Sequence, residues 1–199
     1  IRRSDVGFDR ASVDVTLKMA PFAAATDRRT SNPHTDRRLV EASRWIQRSL
    51  EATLLLHLYP RSRIEIVIAI LADDGGRLPA ALNAAVLAVL DAGLPVKDFV
   101  CACSVGYALT TQTALVDLNR KDELTQHAGQ APVRLTCAIM PHRNTIVLTQ
   151  CENRLSSVTV LETMLEAATE GCQLMAEMMQ AAVHERASTV LSAQQGQLP

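Results

Sequence analysis

The stretch LADDGGRLPAALNAAVLAVLDAG, Leu71 to Gly93, decides how this chain is read. An apolar run enters a paired-glycine turn at Gly75 and Gly76, and an alanine-rich helix leaves it. Backbone N–H groups at a helix N-terminus point outward and favour an anion, and glycine lets a phosphate come close. Strand, glycine turn and helix in that order make either an anion cradle or only a tight turn. The helix is expected over Ala80 to Asp91, ended by Gly93 and Pro95.

Working outward, RIEIVIAIL before the turn is β-branched and almost wholly apolar, the pattern of a central strand. Ahead of it, a helix is expected from Asp36 to His57, with Leu39, Ala42, Ile46, Leu50 and Leu54 on one face and Thr35 or Asp36 as its cap. ASVDVTLKMA alternates, with Val13, Val15 and Leu17 turned inward, as in a half-buried strand. PFAAATDRRTSNPHTDRR between them is a polar surface loop. On the other side, DFVCACSVGY is a strand with Cys101 and Cys103 on one face. That pair is a redox or metal motif, or two small apolar side chains under a helix; packing is the simpler reading. TALVDL is a short strand and NRKDELTQHAGQAP a polar connection. VRLTCAIM and TIVLTQC form a hairpin through PHRN. A last helix runs from Thr159 to Ser192, with Leu161, Leu165, Ala168, Cys172, Met175, Met179 and Ala182 as its core stripe.

This order gives an α/β (α+β) fold, helices packed on mixed sheets, in a single domain over residues 1–199. The first strand has no partner before it, so the N-terminal strands of the fold are expected to be missing. Hydrophobic residues make up 48% but aromatics only 3%, so the core rests on aliphatic side chains and Met. Lys+Arg is 20 against Asp+Glu 21, which leaves no global polybasic signature for nucleic acid; anion binding must come from local patches. No apolar run reaches the roughly 18–20 residues that span a bilayer, and no membrane role is expected. The five cysteines, Cys101, Cys103, Cys137, Cys151 and Cys172, lack disulfide-framework spacing and read as buried thiols in a reducing compartment. The five histidines are scattered away from metal-ligand spacing, so no metal site and no cofactor are assigned.

Several separate segments carry a resemblance to the RNase PH family, and within it to the exosome-ring subunits. They are LYPRS, then DGG before NAA, then LAVLDAG followed by DFVCACSVG. Upstream, APFAAATDRR and DRRLVEASRWIQRSLEA are similar to the family's Pro-Phe-Ser-Thr loop and Arg-Arg-led helix; downstream, ALVDLN and the final helix also fit. The resemblance implies an RNase PH-like fold in a six-membered ring, with RNA threading the central channel. It implies as partners other RNase PH-like ring subunits, RNA-binding cap subunits, RNA and a hydrolytic exosome nuclease. It implies a nuclear, nucleolar and cytoplasmic location and work in 3′ RNA processing and degradation. Active members use inorganic phosphate to attack the last phosphodiester and release a nucleoside diphosphate.

Set against that chemistry, the degenerate positions are Asp74, Gly75, Gly76, Arg77, Leu78 and Asp117. Arg77 stands where relatives carry a small hydroxyl residue, and Leu78 stands where they carry Arg. Leu78 cannot hydrogen-bond a phosphate. Asp117 matches one family acid, but the position of the other falls in Ala108–Gln112, which has no acid. The resulting expectation is a non-catalytic ring subunit, with Asp117 structural; the alternative is an active phosphorolytic 3′–5′ exoribonuclease. Arg37 and Arg38 fall on the family's Arg-Arg pair and are candidates for RNA contact, with Arg28 and Arg29 in the loop before them.

Overall fold

The computed structural model describes residues 9–23, 36–108, 112–124 and 132–195. Among these residues six strands and four α-helices follow one another as β1 (Ser12–Met19), α1 (Arg37–Thr53), β2 (Arg63–Ile70), α2 (Arg77–Asp91), β3 (Cys101–Ala108), β4 (Thr113–Val116), α3 (Arg120–Leu124), β5 (Val133–Met140), β6 (Thr145–Glu152) and α4 (Val158–Gln195). Among the described residues β1 and β2 form a parallel two-stranded sheet, and the other strands form an antiparallel sheet in the order β4-β3-β5-β6. This is the mixed α/β architecture expected from the sequence.

β1 buries Val13, Val15 and Leu17, as its alternation dictates, and α1 covers it with Leu39, Ile46 and Leu50. Asp36 caps α1 by accepting from the Arg38 N–H at 3.0 Å. α1 ends at Thr53, short of the expected His57, and Leu56–Leu58 form one 3-10 turn. β2 departs from expectation. Its only described partner is β1, and Val67 is 53% exposed, so β2 is not a central strand among the described residues. Only Ile68 and Ile70 are buried along it. Apolar composition alone cannot tell a strand covered on both faces from one covered on one.

β3 is buried through Cys101–Gly106, with α2 and α4 both packed against it. β4 pairs only with Val105–Ala108, so the ladder side of Ala102 lies beyond its end. The Asn83 amide fills that gap: Nδ2 donates to the Ala102 carbonyl at 2.9 Å, and Oδ1 accepts from the Ala102 N–H at 2.8 Å. A helix side chain thus does the work of a missing strand residue. On the other side of the sheet, α4 buries Val160, Met164, Ala168, Cys172, Ala176 and Met179. The buried stripe sits about one residue round from the expected one: Leu161, Leu165 and Met175 are half-buried and Ala182 is exposed. α2 begins at Arg77, three residues before the expected start, with Pro79 tolerated in its first turn. The expectation of buried thiols holds for four cysteines and fails for Cys151, whose place on β6 leaves it exposed. No helix is long and apolar enough to cross a membrane among the described residues.

Candidate active site

Two loops build the site. The first, Asp73–Gly76, joins β2 to α2; the second, Asp117–Asn119, follows β4. They are latched by the Arg120 N–H, which donates to the Asp74 carbonyl at 2.6 Å, and the second loop is tied to β3 by the Asp117 N–H, which donates to the Ser104 carbonyl at 2.8 Å. Gly75 has φ +100°, and a Cβ there would lie 2.4 Å from the Leu118 carbonyl oxygen. Gly76, with φ +56°, precedes the first turn of α2. Glycine is required here because an L side chain has neither the room nor the conformation.

A Cβ built on Gly76 would lie 3.4 Å from Asp117 Oδ1 and 3.5 Å from Ser104 Oγ. The start of α2, a carboxylate and a hydroxyl therefore converge on one spot. Ser104 is 7% exposed, and its Oγ has no hydrogen-bond partner among the described residues. A buried hydroxyl without a partner costs about 1–3 kcal/mol, which a bound ligand oxygen would recover. Asp117 is exposed and held at φ +59°, a conformation that non-glycine residues adopt at a cost. Its carboxylate has no hydrogen bond among the described residues.

Asp73 gathers the positive charge. Arg77 Nη1 lies 3.4 Å from its carboxylate and Arg120 Nη1 3.9 Å. Leu78 packs against the core and takes no part in the charged cluster. Ala108 and Gln112 close a turn in which the Gln112 N–H donates to the Ala108 carbonyl at 2.9 Å; the three residues between them lie outside the described residues. Arg37 and Arg38 are exposed at the start of α1, with no acid in its first turn, and neither has an ion-pair partner among the described residues. Arg28 and Arg29 lie outside the described residues. Sequence reading missed Ser104, Arg120, Asp73 and Asn83. Ser104 left one signal, a hydroxyl inside an otherwise apolar strand. The other three owe their roles to tertiary contacts.

The chain belongs to the RNase PH family: residues 2–95 match its description as 3′ exoribonuclease family, domain 1, and residues 98–171 match domain 2. It is 41% identical over 165 residues to the Exosome complex component RRP41 of Homo sapiens, covering 83% of this chain and 63% of that protein. It is 37% identical over 178 residues to the Exosome complex component Rrp41 of Thermococcus kodakarensis, covering 89% of this chain and 67% of that protein. The chain thus spans about 63% of the length of its human relative. In fold it matches rice (Oryza sativa) Rrp46 with a TM-score of 0.72 at 17% identity, over 89% of this chain and 75% of that one.

These matches correct the expectation of a non-catalytic subunit. Both parts of the chain fall in a 3′ exoribonuclease family, and its relatives include archaeal Rrp41 components. The physical ground of that expectation was too local. It tied the guanidinium to position 78, whereas folding brings Arg77 at the start of α2 and Arg120 at the start of α3 to the same carboxylate.

Proposed function

We propose that the protein is an RNase PH-like exosome component that shortens RNA from its 3′ end by phosphorolysis, in a ring with other RNase PH-like subunits. The observation that carries this reading is the unpartnered Ser104 Oγ beside Gly76 at the start of α2. An inorganic phosphate there would take a hydrogen bond from Ser104 and sit in the positive end of the helix dipole. Arg77 and Arg120 would exchange part of their contact with Asp73 for the phosphate oxygens. One phosphate oxygen attacks the terminal phosphorus, the P–O3′ bond breaks and a nucleoside diphosphate leaves. The shortened RNA's 3′ oxygen takes up the proton that the attacking phosphate gives up, and Asp117 would carry it. Arg37 and Arg38, with Arg28 and Arg29 before them, would grip the RNA backbone without reading its bases.

The test follows 3′-end shortening by the assembled complex with and without inorganic phosphate. Nucleoside diphosphates should form only with phosphate and should be lost in Asp117→Asn, while the ring stays assembled. Release of monophosphates alone, or diphosphates untouched by Asp117→Asn, would overturn the reading.

A further inference from the structure

Four of the five cysteines lie along the seam between the antiparallel sheet and α4. Cys103 pairs across the ladder with Cys137, and Cys172 of α4 sits above both. The Cys172 thiol donates toward Cys103 Sγ at 3.5 Å, and its Sγ is 3.6 Å from the Cys137 carbonyl oxygen. Cys103 Sγ lies 3.2 Å from the Ala168 carbonyl, one turn back along α4. The helix comes this close because residue 171 is glycine: a Cβ there would lie 2.8 Å from Val116 Cγ1 and 3.2 Å from Cys103 Sγ. Cys103 is 5% exposed, Cys137 1% and Cys172 0%. No group of three or more His, Cys, Asp or Glu among the described residues is arranged to hold a metal ion. The chemistry of a pair remains.

We propose that Cys103 and Cys172 are an oxidisable pair, which a hydroperoxide converts into a disulfide that staples α4 to β3. The hydrogen bond from Cys172 holds the Cys103 thiol below its ordinary value, and the same contact together with burial pushes Cys172 up. Cys103, the sulfur that accepts the Cys172 hydrogen bond, is the nucleophile. Its thiolate attacks a peroxide oxygen, the O–O bond breaks, and Cys103 becomes a sulfenic acid while an alkoxide or hydroxide leaves. That base takes the Cys172 proton. The Cys172 thiolate then attacks the Cys103 sulfur, the S–O bond breaks, the S–S bond forms, and the departing hydroxide is protonated to water. Two thiols give up two electrons and two protons, and the peroxide becomes one water and one alcohol, or two waters for hydrogen peroxide.

The sulfurs need to close from 3.5 Å to about 2.05 Å, a movement of about 1.5 Å. The other thiols are placed differently. Cys101 has Met179 Sδ as its sulfur neighbour at 3.8 Å, which cannot form a disulfide, and Cys151 is exposed on another strand. Because the pair is buried, oxidation waits on local opening of α4. The staple would fix the strand that carries Ser104, the residue next to Cys103.

The experiment treats the intact Cys151→Ser protein with hydrogen peroxide, blocks free thiols with N-ethylmaleimide, and maps peptides by mass spectrometry. The expected product is one linked pair of peptides containing Cys103 and Cys172, two hydrogens lighter than the reduced pair. Dithiothreitol should reverse it, and the melting temperature should rise on oxidation. Cys172→Ala should abolish the link and leave Cys103 trappable by dimedone as the sulfenic acid. A Cys103–Cys137 link, or a full count of free thiols after treatment that oxidises a small-molecule dithiol, would overturn the proposal. If Cys172→Ala fails to fold, the peptide map of the Cys151→Ser protein alone still decides.

Discussion

At Gly75 two loops meet, and a methyl group there has nowhere to go: the backbone is at φ +100° and the Leu118 carbonyl oxygen stands 2.4 Å from the Cβ position. Gly75→Ala should therefore cost about 2–4 kcal/mol in denaturant unfolding, the range for strain combined with a backbone clash. It should also displace Asp117 and weaken phosphate binding; unchanged stability would mean the latch is not rigid. Arg37 and Arg38 give a second prediction. Replacing both with Glu should weaken RNA binding by the assembled ring for all sequences alike, and the salt dependence should flatten by about two counterions. Stability should hold or rise slightly, because acids suit a helix start. RNA affinity across a salt series, with melting followed in parallel, checks both parts. At this scale the sequence was legible where chemistry is local. The paired glycines and Asp117 are visible in it. Arg120 is not, and Ser104 shows only as a lone hydroxyl in an apolar strand, because their meaning comes from neighbours far along the chain, Asp73 and Gly76.

α4 shows what element-level patterning can and cannot tell. Its existence was legible; of the polar row expected to face water, Glu162, Glu166, Glu170, Gln173 and Glu177 are exposed and Gln180 is half-buried. The buried face was displaced, since Leu, Met, Cys and Ala occupy both candidate stripes and periodicity cannot choose between two apolar rows so close on the helix. The burial itself ends part-way. From Ala181 to Ala193 no residue is buried, and the tie to the body is Arg186 with Asp91 at 3.3 Å. Exposed ion pairs contribute little. Native-state hydrogen exchange should therefore fall into two regimes, slow at Met164–Met179 and fast beyond about residue 183. Uniform protection to the end of the helix would contradict this. β2 teaches the same lesson in reverse: its strand character was legible, but its position in the sheet depends on what lies beside it.

For the molecule as a whole, one buried cluster runs from Val13 on β1 through Leu82 and Leu135 to Met179 on α4. Both sheets share it, so heat or denaturant should unfold the chain in a single transition that circular dichroism and the single tryptophan, Trp45, report together. Two separated midpoints would show that the two matched halves are independent. The buried thiols add an alkaline dependence. Burial, then the Asp98 charge, pushes Cys101 up to about 12, and burial, then Cys103, pushes Cys137 up to about 11, from an ordinary 9.0. Above pH 9 the unfolded chain releases protons that the folded protein keeps. Stability from these two is therefore complete below pH 9 and is lost between pH 9 and about 11–12. Melting temperatures measured across that window should fall, and Cys101→Ala should flatten the decline. One earlier feature bears on how this molecule is made. The Asn83 clasp on Ala102 spans 19 residues, whereas the β1–β2 ion pair of Asp14 with Arg63 spans 49 and the Cys103–Cys172 contact 69. Loop closure is cheapest for the shortest span. Of these three links the α2–β3 clasp is therefore the cheapest to close, and α4 adds to a strand whose edge Asn83 has already registered. In rate terms, Asn83→Ala should slow refolding nearly in proportion to the stability it removes, while a change at Met164 should mainly speed unfolding.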